Sequence, residues 1–186
     1  MRILRLLSLV LLLGGSALAQ STYGVGSTPS KEDIRLWDIS ISPTGAELPP
    51  GRGAAKDGAR LYVAKGCAAC HGATAKGGPA PTLLKSEAKP NGTPWDLGRV
   101  LPIRSPYATT VWDYINRAMP LNREGTLTAD EVYALTAYLL NINGVIPEDA
   151  VMDAQSLPKV KMPNREAWAP LPDWKPGMPR FAGYPY

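Results

Sequence analysis

The chain has 186 residues, with 20 lysines and arginines against 16 aspartates and glutamates, one histidine and two cysteines. A net charge of +4 is too weak a field for nucleic-acid binding, and the length suits one domain with extensions rather than two full domains. The two cysteines are three positions apart, so a disulfide between them would close a tiny loop and constrain little of the unfolded chain.

Met1-Arg-Ile-Leu-Arg5 is positive and leads into an apolar run from Leu6 to Leu13 that closes at Ala17-Leu-Ala19, a small-residue cleavage pattern. Residues 1–19 therefore read as a signal peptide, and the mature protein is expected to begin at Gln20, exported to the periplasm. Losing Arg2 and Arg5 leaves 18 basic against 16 acidic residues. No later stretch approaches the roughly 20 apolar residues of a membrane-spanning helix. Residues 20–52 form an N-terminal arm with little regular structure beyond a short helix capped by Ser30, with Asp33 at its third position.

Residues 53–146 carry the periodic sequence. From Ala54 to Lys65 the spacing predicts a helix with Gly58, Leu61 and Tyr62 on one side. Cys67-Ala68-Ala69-Cys70-His71 follows directly. This is the haem-attachment pattern: two thiols add to the porphyrin vinyl groups and the adjacent imidazole binds iron from the same side. A structural zinc site needs four protein ligands, and no other cysteine or histidine exists to complete one. A thioredoxin-like dithiol belongs at the end of a strand, whereas the residues before Cys67 read as helix. His71, as the sole histidine, is the proximal ligand, which excludes a second histidine on the opposite face of the iron.

Residues 73–91, rich in glycine, proline and lysine, read as a loop over the haem edge. Ser105-Pro106 reads as an N-cap with proline at the first helical position. Val111, Trp112, Ile115 and Met119 then recur at helical spacing until Pro120 stops the run, predicting a helix over Pro106–Ala118. Once Met1 has left, the thioether candidates for the sixth iron ligand are Met119, Met152, Met162 and Met178. Met119 stands first, because a residue before proline is driven extended and can leave the helix end to face a haem. Simply ending a buried stripe is the competing role for it. Thr128-Ala-Asp-Glu131 forms a capping box for a last helix through Val132, Leu135, Tyr138 and Leu139 to Gly144. The fold class is all-α. Residues 147–186 make a proline-rich tail with Trp168, Trp174, Phe181, Tyr184 and Tyr186. That aromatic content suits packing along its own domain or clasping a partner rather than a free linker.

The region from about Arg52 to Ile146 resembles a class I cytochrome c domain. In that family the first and last helices cross through a glycine and an aromatic on one and a Leu-x-x-Tyr pair on the other, matched here by Gly58 with Tyr62 and Leu135 with Tyr138. The resemblance also implies that Pro81, in Pro81-Thr82-Leu83, offers its carbonyl to the Nδ1 proton of His71. More specifically, Tyr23-Gly24, Asp33-Ile-Arg-Leu-Trp-Asp-Ile39, Val111-Trp-Asp-Tyr-Ile-Asn-Arg-Ala-Met-Pro120 and Leu127-Thr-Ala-Asp-Glu-Val-Tyr-Ala-Leu-Thr-Ala-Tyr138 are similar to the cytochrome subunits of periplasmic sulfur-compound dehydrogenases. These are the SoxD type and the related sulfite dehydrogenase cytochromes. SoxD proteins commonly carry a second haem domain, and with one attachment site this chain resembles a single-haem relative.

The resemblance implies one covalent haem c and electron transfer from a molybdenum-containing sulfite or sulfane dehydrogenase to another cytochrome or a terminal oxidase. The protein is then an electron-transfer subunit or partner of an oxidoreductase rather than a catalyst on its own. Lys65 and Lys76 are candidates to orient an acidic partner, and Arg99, Arg104, Tyr107 and Trp112 to meet the haem propionates. Two other readings stay open. One is a haem enzyme with an open sixth site, for which Glu124 and Arg123, close after Met119, are the charged candidates. The other is an acceptor for a different exported dehydrogenase, of an alcohol or an aldehyde.

Overall fold

The structure, a computed structural model, describes residues 26–87, 94–98 and 100–166. The expected signal peptide 1–19, Tyr23-Gly24, Arg99, Met178 and the tail aromatics from Trp168 to Tyr186 lie outside the described residues. Two compact units divide the chain, Met1–Ile39 and Ser40–Tyr186.

In the first unit, α1 spans Lys31–Trp37 and starts where the sequence signals it: Asp33 N donates to Ser30 Oγ at 3.1 Å, and Ser30 N donates to Asp33 Oδ2 at 2.9 Å. Glu32 pairs with Arg35 one turn on. None of its residues is buried, and Ile34, Leu36, Trp37 and Ile39 are all exposed, Trp37 at 86%.

The second unit is built on two crossing helices, α2 at Ala55–Ala64 and α6 at Ala129–Ile142. Both predicted features of the crossing are present. A Cβ on Gly58 would lie 2.0 Å from the Ala134 carbonyl oxygen, so only glycine admits this approach, and the Tyr62 and Tyr138 rings meet at 5.3 Å. The capping box of α6 forms, with Thr128 N donating to Glu131 Oε2 at 3.0 Å and Glu131 N to Thr128 Oγ1 at 3.4 Å. Immediately before α2, strand β1 (Arg52–Ala54) pairs antiparallel with β2 (Val151–Asp153), Gly53 facing Met152. This three-residue ladder is the only strand pairing among the described residues, so the helical class stands.

Three further helices complete the unit: α3 at Cys67–His71, α4 at Leu101–Arg104 and α5 at Ala108–Ala118. The expected start of α5 at Ser105-Pro106 is displaced. Proline forces Ser105 extended at φ −64°, ψ 132°, so the Ser-Pro pair ends α4, and Tyr107 precedes α5 without a side-chain cap. The stripe of α5 is as predicted, with Val111, Trp112 and Ile115 buried and the Trp112 ring tilted at 51° against Tyr133 of α6, centroids 5.5 Å apart.

Residues on both sides of 53–146 contribute to this core. Leu48, Met152, Leu157 and Met162 are buried in it. Ile41 N donates to Asp113 Oδ1 at 3.0 Å, and the Tyr133 hydroxyl to the Pro49 carbonyl at 2.9 Å. Asn164 Nδ2 reaches the Arg104 carbonyl at 2.7 Å, and Arg165 lies 4.1 Å over the Tyr107 ring. Irregular chain of this kind has no periodic apolar pattern, so its burial leaves little trace in the sequence.

Candidate functional site

The site begins where α2 stops. Gly66, at φ 85°, turns the chain in the left-handed region that favours glycine and starts α3. Within α3 the cysteines are three apart, so both project from one helical face, and His71 ends the helix. Cys67 is half-buried and Cys70 exposed, and both thiols are free. Burial pushes the Cys67 thiol pKa up. A thiol on a helix whose burial favours the protonated form is the opposite of a redox-exchange dithiol. Nor does any group of three acidic, histidine or cysteine residues among the described residues form a metal-ion cluster.

His71 Nδ1 lies 2.7 Å from the Pro81 carbonyl oxygen. A carbonyl only accepts, so Nδ1 carries the proton and Nε2 keeps its lone pair for a metal. The loop that delivers Pro81 is drawn tightly onto α3. Ala80 N donates to the Cys70 carbonyl at 2.9 Å, Leu83 N to Ala75 at 2.8 Å, and the Tyr62 hydroxyl to Gly72 at 3.0 Å. A Cβ on Gly78 would sit 2.1 Å from the Cys70 carbonyl oxygen, and one on Gly72 only 1.9 Å from that of Lys76. Glycine at both positions is what lets the loop close.

Met119 follows α5 with extended backbone, φ −129° and ψ 148°, as expected of a residue before proline. It is half-buried, packed against the core and still reachable. Met152 and Met162 are buried in the core, where their thioethers fill space.

The residues present fit a covalently held haem. Two unpaired thiols and an imidazole with a free Nε2 lie within five positions. Cys67, Ala68, Leu83, Leu84, Leu101 and Met119 are each partly buried and packed against the core cluster, apolar groups of the kind that suit contact with a flat apolar ligand. The buried indole Nε1 of Trp112 has no hydrogen-bond partner among the described residues, a donor that an external acceptor would satisfy.

Other candidates are placed differently. Lys65 is not free to steer a partner, because its ammonium pairs with Glu131 at 2.6 Å; the pairing crosses from the end of α2 to the start of α6 and has no signature in sequence. Lys76 is exposed. Arg104 is exposed, and Tyr107 lies beneath Arg165. Backbone N–H groups of Glu124 itself and of Asn122 hold the Glu124 carboxyl below its ordinary pKa, so it has no proton to offer as a distal acid at neutral pH. Sequence reasoning missed Asn143, whose side chain ties α6 to the Pro81 loop.

The cytochrome c family profile matches residues 55–143. A chain in the crystal structure of the sulfane dehydrogenase SoxCD from Paracoccus pantotrophus is 33% identical and superposes with a TM-score of 0.66, over 80% of this chain and 72% of that one. A search of curated proteins returns no significant match. No helix among the described residues is long and apolar enough to cross a membrane.

Proposed function

The chain belongs to the cytochrome c family, and from that premise we propose that it is a periplasmic monohaem electron carrier, reduced by a molybdenum-containing sulfite or sulfane dehydrogenase. It passes each electron to another cytochrome or a terminal oxidase. The observation that carries this reading is the committed His71 imidazole, its Nδ1 proton on Pro81 and its Nε2 left for iron beside two free thiols. The likeness to a chain of a sulfane dehydrogenase supports the class of donor. The leader-like first 19 residues support export.

Haem bound here supplies reversible one-electron chemistry between ferric and ferrous iron. Cys67 and Cys70 anchor it by thioethers, which removes dissociation as a competing event. His71 holds the proximal side through Nε2, and the Pro81 carbonyl fixes the ring's orientation and raises its basicity. Met119 would supply the sixth ligand, a soft sulfur that would favour the less charged ferrous state and raise the potential. With both residues bound, iron would have no place for substrate, and the chain would transfer electrons as a subunit or partner of an oxidoreductase. Exposed Ala69 and Cys70 make the motif's outer side approachable. Lys76, free of any ion pair described, is the cation suited to orient an acidic donor.

The test uses full-length protein made in a host with cytochrome maturation machinery. The purified material is expected to gain the mass of one haem and, when oxidised, to show the far-red thioether-to-iron band. A purified molybdenum sulfite dehydrogenase with sulfite should reduce it faster than an exported alcohol dehydrogenase with its substrate. Reduction by the alcohol enzyme alone would replace the donor, and a missing far-red band with ready cyanide binding would replace the closed site.

A further inference from the structure

Asn143 caps the end of α6 and is 1% exposed, yet its amide is engaged away from its own helix as well as along it. Its Oδ1 accepts from Lys85 N at 2.7 Å. Its Nδ2 donates to the Leu83 carbonyl at 2.9 Å and to the Leu139 carbonyl, inside α6, at 2.8 Å. Two residues before Leu83 stands Pro81, whose carbonyl receives the His71 Nδ1 proton. The segment Ala80–Lys85 is therefore held from one side by α3 and its following turn, through Ala80 to Cys70 and Leu83 to Ala75. From the other side it is held by Asn143, at Leu83 and Lys85.

We infer that Asn143 is a positioning residue for the axial imidazole, acting through Leu83 and Lys85 on the Pro81 carbonyl and thereby on the electron density at Nε2. The inference deepens the proposed haem site and rests on it. Helix α6 then defines His71 by two routes. Packing on α2 sets where α3 begins, and the Asn143 amide sets where the acceptor for Nδ1 lies. A short, well-aimed Nδ1–H to carbonyl bond gives the ring imidazolate character, which stabilises ferric iron. Slackening that acceptor removes some of the effect and shifts the equilibrium towards ferrous iron. An asparagine spent only on capping would hold Leu139 and leave the loop alone; two of the three bonds here cross to the loop.

The experiment compares holo-protein of wild type, Asn143→Leu, Asn143→Asp and a control, Tyr133→Phe, which removes a single buried hydrogen bond of α6 to Pro49. Two readouts are taken beside thermal stability: the hydrogen–deuterium exchange rate of the His71 ring Nδ1–H by NMR, and the reduction potential. Asn143→Leu is expected to speed ring exchange by about tenfold or more. It should also move the ferrous-to-ferric ratio at fixed potential upward by roughly three- to tenfold, the upper end being ~59 mV for one electron. Asn143→Asp keeps the acceptor for Lys85 and should fall between; it carries the test if the leucine variant does not fold. Tyr133→Phe should lower stability with neither readout moving. Loss of stability in the Asn143 variants with ring exchange and potential at wild-type values overturns the inference and leaves the haem site standing. A wild-type protein that takes up no haem ends both.

Discussion

The two sides of the site are held by unlike means. On the histidine side, His71 lies in a web of backbone bonds from Cys70, Gly72, Ala75 and Pro81, closed by glycines at 72 and 78 that admit no side chain. On the methionine side, Met119 hangs from the last turn of α5 by its own N–H to the Ile115 carbonyl at 3.1 Å. The chain beyond it turns through Asn122 at φ 66°, with Leu121 69% exposed. Were haem held as proposed, a ligand set by many mutually supporting bonds would keep one geometry, and any exchange of ligands would fall to the side with fewer of them, that of Met119.

The largest expected effect breaks the proximal side through its foundation. Gly58→Val would drive a branched side chain into the Ala134 backbone, 2.0 Å from where a Cβ would sit. The crossing of α2 and α6 cannot relax without moving α3, so a loss of about 3 kcal/mol or more is expected in denaturant unfolding. The yield of haem-loaded protein should fall with it, since the thiols and His71 would no longer be presented together.

Met119→Leu tests the other side while leaving the first intact. The swap conserves apolar volume at a half-buried site, so stability should change by less than about 1.5 kcal/mol. The attached haem should remain, the far-red band should vanish, and added imidazole or cyanide should bind. A variant that keeps the band would move the sixth ligand elsewhere and dissolve the contrast between the two sides.

The smallest effect sharpens the comparison by pH. The Lys65 ammonium holds the Glu131 carboxyl below its ordinary pKa, opposed by partial burial. A depressed folded-state pKa contributes stability that is present above the unfolded-state carboxylate range and is lost as pH falls through the lower, folded value. The pair is partly exposed and screened, so its contribution is about 0.5–1 kcal/mol. Glu131→Gln should cost that much at pH 7 by chemical denaturation and progressively less as the solution is acidified below pH ~4. A constant difference across pH would mean that neither the Lys65 pair nor the cap bond from Thr128 N draws on the charge of Glu131.

What could be read locally was read well. The Ser30 and Thr128 capping boxes and the stripe of α5 each depend on residues a few positions apart, whereas the crossing at Gly58 and Tyr138 is expected from the resemblance to class I cytochromes c. Ser105 shows the limit of such signals. Serine before proline is a capping pattern and a breaking pattern at once, and the buried helix Leu101–Arg104 decides for the second. Lys65 shows another limit, since an exposed-looking cation in sequence is paired across 66 positions of chain.

Residue order alone names the groups that the proposed haem would need, two thiols, one imidazole and a methionine set before proline, because covalent attachment and axial ligation need particular atoms at particular spacings. How firmly each is held follows from contacts between distant parts of the chain. Asn143 beneath Leu83, the ladder of Arg52–Ala54 with Val151–Asp153, and Met152 and Met162 buried as packing all join residues far apart in the chain. Such bonds follow from which surfaces meet when the helices cross, and no local pattern encodes them.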